Sequence, residues 1–212
     1  MTQTVFFDLD GTLTDPKVGI TTCIQYALQK LKFEVIPKDD LTWCIGPPLQ
    51  ESFVVLVGHQ RSAEALALYR ERFSEIGWKE NSVYPGIEDT LERLRAAEFR
   101  LFVATSKPHV YANQIVGHFQ LDQYFDTVYG AELDGTRCDK SELLQYALCD
   151  SSTTGVASMV GDRKHDVIGA LANSMTAIGV TYGYGSRQEL HEAGASRIVD
   201  RPGDLLATFS LK

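Results

Sequence analysis

A short apolar run that stops at two carboxylates constrains this chain more than any other feature of its sequence. Residues 5–7 (Val-Phe-Phe) have the β-branched and aromatic character of a buried strand, and Asp8 and Asp10 follow immediately. Gly11 then allows a sharp turn, because glycine has no Cβ to clash with the backbone. Carboxylates at the end of a buried strand must reach water, pair with a cationic side chain or bind a metal ion, since burying an unpaired charge is very unfavourable.

The closeness of the two carboxylates limits what can neutralise them. Neighbouring carboxylates repel and raise one pKa, and a hard divalent cation such as Mg²⁺ prefers oxygen ligands. A calcium loop of the EF-hand type is excluded, because its required glycine and acid would fall at Leu13 and Gly19. On this stretch alone, a strand followed by a solvated acidic turn stays open as the alternative.

The chain after residue 83 alternates between strand and helix patterns. The turn signal Val-Tyr-Pro-Gly at residues 83–86 opens this part. Predicted strands cover residues 100–104, 127–131, 156–160, 176–180 and 198–199, predicted helices cover residues 87–97, 110–117, 141–149 and 167–173, and a loop is predicted at residues 105–108. Such alternation indicates a mostly parallel sheet with helices on both faces.

The preceding stretch, residues 15–82, has a different pattern. Apolar residues recur at helical spacing in residues 18–31, 49–57 and 66–76, a loop is predicted at residues 45–48, and no convincing strand is found. The predicted fold class is therefore α/β, with a Rossmann-like, mostly parallel sheet core and an inserted all-α domain. The predicted core comprises residues 1–14 and 83–212, and the predicted insertion comprises residues 15–82.

Composition narrows the classes of function. The 212 residues carry a formal net charge of −8, which argues against nucleic-acid polymers as partners and requires local cations to attract an anionic substrate. No apolar run reaches the roughly 18 residues of a membrane span, and the N-terminus has no signal-peptide pattern, so no membrane partner is expected. The four cysteines are scattered, which disfavours zinc sites and disulfides and favours a cytoplasmic location.

Four groups of polar residues follow predicted strands or stand at loop-to-helix junctions. They are Asp8 with Asp10, residues 105–107 (Thr-Ser-Lys), Lys140, and residues 161–166 (Gly-Asp-Arg-Lys-His-Asp). In open α/β sheets, ligands bind beyond the carboxyl ends of the strands, so these groups are predicted to converge at one edge. A carboxylate nucleophile, a second acid, a hydroxyl, a lysine and a further acidic pair suit phosphoryl transfer.

With these motifs, the sequence resembles the haloacid dehalogenase superfamily, and within it the phosphoglycolate phosphatase-like hydrolases with a helical cap. Residues 7–12 (Phe-Asp-Leu-Asp-Gly-Thr) match the first motif of that family, and residues 101–105 resemble the second. Lys140 is placed like the lysine of the third motif, and residues 161–166 resemble the fourth. Residues 45–53 resemble the cap segment that faces the active site in this branch.

The resemblance implies a role for each matching residue. The implied catalytic residues are Asp8 as nucleophile and metal ligand, Asp10 as general acid/base that also binds the metal through its carbonyl, Thr105, and Lys140. Asp162 is implied as a metal ligand and Asp166 as a supporting residue; the implied substrate-binding residues are Thr105, Ser106, Lys140, Gly46 and Pro47. Ser106 stands where relatives often carry asparagine. Phosphonate-cleaving relatives and dehalogenases lack an aspartate at the position of Asp10, so its presence points to phosphate esters.

Several residues also have simpler interpretations. Lys107 or Lys164 could supply the positive charge in place of Lys140. Thr105 could be an ordinary helix cap, and Asp166 could simply favour the N-terminus of its helix.

The function that the resemblance implies is a Mg²⁺-dependent phosphatase of small phosphate monoesters with an aspartyl-phosphate intermediate. Phosphoglycolate, a nucleoside monophosphate and a sugar phosphate all remain possible substrates. Two alternatives stay open: a phosphomutase of the same superfamily, and a regulatory phosphate-binding protein with little turnover. The protein is expected to be a monomer or homodimer.

Overall fold

The structure, a computed structural model, describes residues 3–211. Within this range, the strands are β1 (Thr4–Phe7), β2 (Thr14–Asp15), β3 (Ser82–Val83), β4 (Arg100–Pro108), β5 (Thr127–Ala131), β6 (Ala157–Gly161), β7 (Thr176–Val180) and β8 (Arg197–Val199).

The α-helices of the same range are α1 (Lys17–Lys30), α2 (Leu49–Val57), α3 (His59–Glu75), α4 (Ile87–Ala96), α5 (His109–His118), α6 (Lys140–Asp150), α7 (Lys164–Ala172), α8 (Arg187–Glu192) and α9 (Asp204–Thr208). Short 3₁₀ helices lie at Lys38–Cys44, Gly77–Lys79 and Leu121–Tyr124. Among the described helices, none has both the length and the apolar composition needed to cross a membrane.

Six strands form one parallel sheet, in the order β5-β4-β1-β6-β7-β8. β1 is central, with β4 on one side and β6 on the other, and all four of its residues are buried. A parallel sheet covered on both faces needs buried, mainly apolar strands of this kind. Because the strands are parallel, their carboxyl ends all lie at one edge of the sheet.

Aromatic side chains on β1, β4 and β5 anchor one face of the sheet. Phe6 stacks on Phe102 with ring centroids 5.0 Å apart, and Tyr129 lies 5.9 Å from Phe102. Leu143 and Leu144 of α6 belong to the same buried cluster. Each large apolar side chain buried in this way contributes roughly 1.5–3 kcal/mol, so the cluster fixes α6 against the sheet.

The described chain divides into two compact units. One unit consists of residues 3–14 and 83–211 and contains the six-stranded sheet. The other consists of residues 15–82 and contains α1, α2 and α3, with the Tyr69 ring 6.0 Å from that of Phe53 in its core. The role of the second unit as a cap stays a prediction.

The predicted α/β fold with a mostly parallel sheet is confirmed, with corrections to some element boundaries. β4 continues through residues 105–108, where a loop is predicted, because the chain stays extended across an irregularity in its pairing with β5. α7 begins at Lys164 rather than at residue 167. The two-residue strands β2 and β3 lie at the ends of the stretch predicted to have none, and they are too short to give a periodic signal.

Candidate active site

Three of the predicted site residues lie at the carboxyl ends of three neighbouring strands. Asp8 follows β1, Thr105 lies in the last part of β4, and Asp162 follows β6. Phe7 pairs with Val103 of β4 and with Val160 of β6. Asp8, Thr105 and Asp162 therefore lie only one or two residues beyond these paired positions. All three side chains are buried. This edge of a parallel sheet is where ligands bind in open α/β folds.

Lys140 connects α6 to this edge. Its Nζ donates 2.9 Å hydrogen bonds to Oδ1 of Asp8 and to the carbonyl oxygen of Ala104. Oδ1 of Asp166 lies 2.8 Å from the same nitrogen. The helix start is fixed by Asp139, whose side chain accepts two N–H groups of the first turn. The side chain of the predicted lysine is therefore held between two carboxylates.

The charge of this lysine is secured by its neighbours. Burial lowers the pKa of Lys140, but the carboxylates of Asp166 and Asp8 outweigh burial and hold that pKa above its ordinary value. The ammonium group of Lys140 therefore stays protonated at neutral pH.

Asp8, Asp162 and Asp166 form a compact buried cluster. One carboxylate oxygen of each residue lies within 4.8 Å of the others. Burial raises the pKa of Asp162 and of Asp166; the neighbouring carboxylates add to this, and Lys140 opposes it at Asp166. Oδ2 of Asp166 also accepts the N–H of Arg163 at 3.1 Å, so this side chain both caps α7 and faces Lys140.

Asp10 forms a separate ion pair beside the cluster. Its Oδ2 accepts a hydrogen bond from Nζ of Lys107, and both side chains are buried. Burial raises the pKa of Asp10, Lys107 opposes this shift, and Asp8 adds to it. Oδ1 of Asp10 is also buried, and within residues 3–211 no hydrogen-bond partner reaches it.

The balance of charge at this edge fits a divalent cation. Its buried charged groups are four carboxylates and two ammonium groups, those of Asp8, Asp10, Asp162, Asp166, Lys107 and Lys140. With all of them ionised, the carboxylates exceed the ammonium groups by two charges. Oxygen ligands and excess negative charge are what Mg²⁺ requires, so the residues fit this ion.

Closely approaching glycines hold Asp162 in place. Gly11 has a φ of +84°, and a Cβ there would overlap the Asp162 carboxylate. A Cβ at Gly183 would overlap the carbonyl oxygen of Gly11, and a Cβ at Gly185 would overlap that of Asp162. Between them, the N–H of Tyr184 donates a 2.8 Å hydrogen bond to Oδ2 of Asp162. The loop after β7 therefore positions this carboxylate.

Sequence reasoning misses this loop and the pairing of Lys107 with Asp10. A signal for the loop is present, since Tyr-Gly-Tyr-Gly at residues 182–185 closely follows the strand predicted at residues 176–180. The rule that selects the other groups considers polar residues after a strand; extended to glycines after a parallel strand, it would have selected this loop too. The ion pair gives no such signal, because the direction of a lysine side chain cannot be read from periodicity.

The structure also bears on the simpler interpretations of Thr105 and the lysines. Oγ1 of Thr105 accepts the N–H of Lys107 at 3.2 Å. It does not cap α5, which begins at His109 after Pro108. Lys164 is exposed, whereas Lys140 is the lysine that contacts Asp8.

The remaining predicted substrate-binding residues lie in two places. Ser106 is partly buried and follows Thr105 in β4. Gly46 and Pro47 are partly buried in the unit of residues 15–82, just before α2. Their contacts with substrate stay predictions.

The clustered residues coincide with a known family pattern. The sequence model described as "Haloacid dehalogenase-like hydrolase" matches residues 5–180, which include every side chain of the cluster. The chain belongs to the haloacid dehalogenase-like hydrolases. The prediction of a hydrolase of the phosphatase class in this superfamily is thereby confirmed.

Three comparisons show what this haloacid dehalogenase-like hydrolase is similar to. It is 46% identical over 192 residues to a 5'-nucleotidase of Pseudomonas aeruginosa, with 88% of this chain and 86% of the relative covered. It is 40% identical over 184 residues to the tyrosine-protein kinase PtkA of Mycobacterium tuberculosis, with 86% of this chain but 63% of the kinase covered. A solved structure described as a predicted phosphatase of Clostridium acetobutylicum has a TM-score of 0.94 at 42% identity, with 99% of each chain covered.

Proposed function

We propose that this hydrolase is a Mg²⁺-dependent phosphatase that acts on small phosphate monoesters through an aspartyl phosphate on Asp8. The observation that carries the proposal is the buried cluster of Asp8, Asp162 and Asp166 around Lys140 at the carboxyl edge of the sheet. Phosphoryl transfer depends mainly on positioning and charge neutralisation, and this cluster supplies a nucleophile, a fixed cation and metal ligands.

In the first step, an oxygen of Asp8 attacks phosphorus, and the bond from phosphorus to the leaving oxygen breaks. Lys140 holds Oδ1 of Asp8 and offsets the repulsion between this carboxylate and the anionic ester. The Thr105 hydroxyl donates to a phosphoryl oxygen. For this step Asp10 must hold a proton when the ester binds, which its burial favours. It gives that proton to the leaving oxygen from Oδ1, the oxygen that Lys107 does not occupy.

In the second step, Asp10 takes a proton from a water molecule that attacks phosphorus. The bond between phosphorus and Asp8 breaks, inorganic phosphate leaves, and the carboxylate is restored. Mg²⁺, held by Asp8, Asp162 and the carbonyl group of Asp10, would supply positive charge that neutralises the phosphoryl oxygens. Asp166 keeps Lys140 in place.

We further propose that residues 15–82 act as a cap that excludes water during the first step and supplies specificity contacts, among them Gly46 and Pro47. Nucleoside 5'-monophosphates are the substrate class to test first, because the similarity to a 5'-nucleotidase is strong and covers most of both chains. Phosphoglycolate and sugar phosphates come next. A cytoplasmic location and a monomeric or homodimeric state stay predictions.

A panel of phosphate esters, assayed for inorganic phosphate with Mg²⁺ and with EDTA, tests this function. We expect stoichiometric phosphate release that EDTA abolishes and Mg²⁺ restores, because the excess negative charge at Asp8 otherwise repels the substrate. Full activity in metal-free buffer would contradict the mechanism. An isomerised sugar phosphate would indicate the phosphomutase, and kcat/KM far below about 10⁴ M⁻¹s⁻¹ on every ester would indicate the regulatory protein.

A further inference from the structure

Lys107 contacts the site at Asp10, with which it forms an ion pair. Its side chain is 6% exposed and that of Asp10 is 11% exposed, so the ion pair is largely shielded from solvent. Lys107 lies on the irregular last part of β4, where the pairing with β5 shifts between Thr105 and Pro108. The ion pair therefore connects the end of β4 to the residues that follow β1.

The backbone around Lys107 is held firmly. The N–H of Lys107 donates to Oγ1 of Thr105 at 3.2 Å. On the β5 side, a Cβ at Gly130 would come within 2.8 Å of the Lys107 carbonyl oxygen and 2.7 Å of the His109 Cα, so these backbones pack closely. Because its backbone is held on both sides and its side chain is buried, Lys107 has few ways to place its ammonium group other than against Asp10.

The ion pair leaves the two oxygens of Asp10 unequal. Oδ2 accepts from Lys107, whereas Oδ1 is buried and has no hydrogen-bond partner within residues 3–211. Burying two charges gains little stability by itself, because the desolvation of both groups offsets their attraction. The ion pair with Lys107 instead fixes the orientation of the Asp10 carboxyl group.

We propose that Lys107 is a positioning residue, which holds Oδ2 of Asp10 so that Oδ1 faces the oxygen of the leaving group. This inference rests on the proposed role of Asp10 in proton transfer. Lys107 then acts only through Asp10, and its removal should matter only where Asp10 matters. A lysine that instead contacted the substrate, or merely stabilised the fold, would affect every ester and every variant alike.

A double-mutant cycle tests the inference. Single-turnover phenol release is measured with phenyl phosphate and 4-nitrophenyl phosphate for wild type, Lys107→Met, Asp10→Asn and the double variant, all with Mg²⁺. With phenyl phosphate, Lys107→Met should slow release by about 10-fold or more in the wild-type background but less than about 2-fold in the Asp10→Asn background. With 4-nitrophenyl phosphate, the loss should be smaller, because nitrophenolate departs without a proton.

Two controls separate positioning from loss of fold or charge. Lys164→Met removes one positive charge from an exposed lysine two residues after Asp162, and phenol release should stay within about 2-fold of wild type. If Lys107→Met lowers Tm by more than about 10 °C, Lys107→Gln takes its place in the cycle, since it also removes the ion pair.

Equal losses in both backgrounds, or no loss in either, would overturn the role of Lys107. Failure of the proposed function would show in the wild-type protein itself, as the absence of phenol release, and would overturn both. Failure of the inference alone would show only in the cycle.

Discussion

Lys140 contributes one positive charge to a site with four buried carboxylates, and its Nζ lies within 2.9 Å of oxygens from two of them. This lysine is brought to the carboxyl edge by the start of α6. Without it, Asp8 and Asp166 would face each other with no fixed cation between them. At the scale of single residues, the site is therefore organised by the neutralisation of charge.

Replacing this cation should damage both stability and activity. In EDTA, Lys140→Met should lower the free energy of unfolding by about 3 kcal/mol, because it leaves two buried carboxylates unpaired. Phosphatase activity with Mg²⁺ should fall by at least about 10²-fold. Urea denaturation and steady-state assays measure these effects, with the exposed Lys164→Met as the matched control. Unchanged stability would mean that the ion pairs around Lys140 do not form.

At the scale of elements, the site depends on loops that follow parallel strands. β1, β4 and β6 supply Asp8, Thr105 and Asp162 from adjacent positions in the sheet. The loop after β7 supplies no side chain to the carboxylate cluster, but its backbone packs against Asp162 and donates to it. Mutation of residues that orient a metal ligand typically weakens metal binding by about 10–100-fold, so the loop should matter if Asp162 binds Mg²⁺ as proposed.

A methyl group at Gly183 tests this packing. Gly183→Ala should lower the free energy of unfolding by about 1–3 kcal/mol, because the new Cβ meets the Gly11 carbonyl oxygen. It should also weaken Mg²⁺ binding by about 10-fold or more, as measured by calorimetry on the metal-free protein. Gly117→Ala in α5 is the control, since nothing lies within 4 Å of a Cβ there. Equal Mg²⁺ affinity in both variants would show that the loop after β7 does not affect metal binding.

Sequence alone predicts much of the fold and most of the proposed site. The buried strands β1, β6 and β7 consist mainly of apolar residues, and the aspartates that follow β1 and β6 mark their ends clearly. The end of β4 is predicted wrongly, because residues 105–107 are polar although their backbone is extended. The contacts of Lys107 and of Gly183 are not predicted, because they depend on how separate loops approach one another.

At the scale of the whole molecule, the chain combines a sheet unit with a separate helical unit of residues 15–82. The net charge of −8 opposes an anionic substrate, so attraction must come from local cations such as Lys140.

Within the helical unit, the exposed residues at the start of α2 differ in whether a hydrogen bond restrains their side chains. Nε2 of Gln50 donates to Oγ of Ser62 at 2.9 Å, which ties it to α3. Glu51 is exposed.

If residues 15–82 determine specificity, substitutions at the start of α2 should change which substrates are preferred. Glu51→Ala should then alter the ratio of kcat/KM between AMP and 4-nitrophenyl phosphate by about 5-fold or more, because contacts with the non-reacting nucleoside part of AMP cannot affect an ester that lacks it. Gln50→Ala serves as the comparison, since it chiefly loses a contact within the helical unit. Proportional losses on both substrates would make this segment structural only.

The proposed mechanism depends on an aspartyl phosphate on Asp8, and this intermediate can be trapped. Asp10→Asn is mixed with 4-nitrophenyl phosphate and Mg²⁺, quenched in acid within the first turnover, digested and analysed by mass spectrometry. We predict one phosphoryl group on the peptide that contains Asp8, removed by hydroxylamine as an acyl phosphate is, and absent from the Asp8→Asn protein. Nitrophenol release with no phosphorylated peptide, or with the phosphoryl group on another residue, would contradict the proposed mechanism.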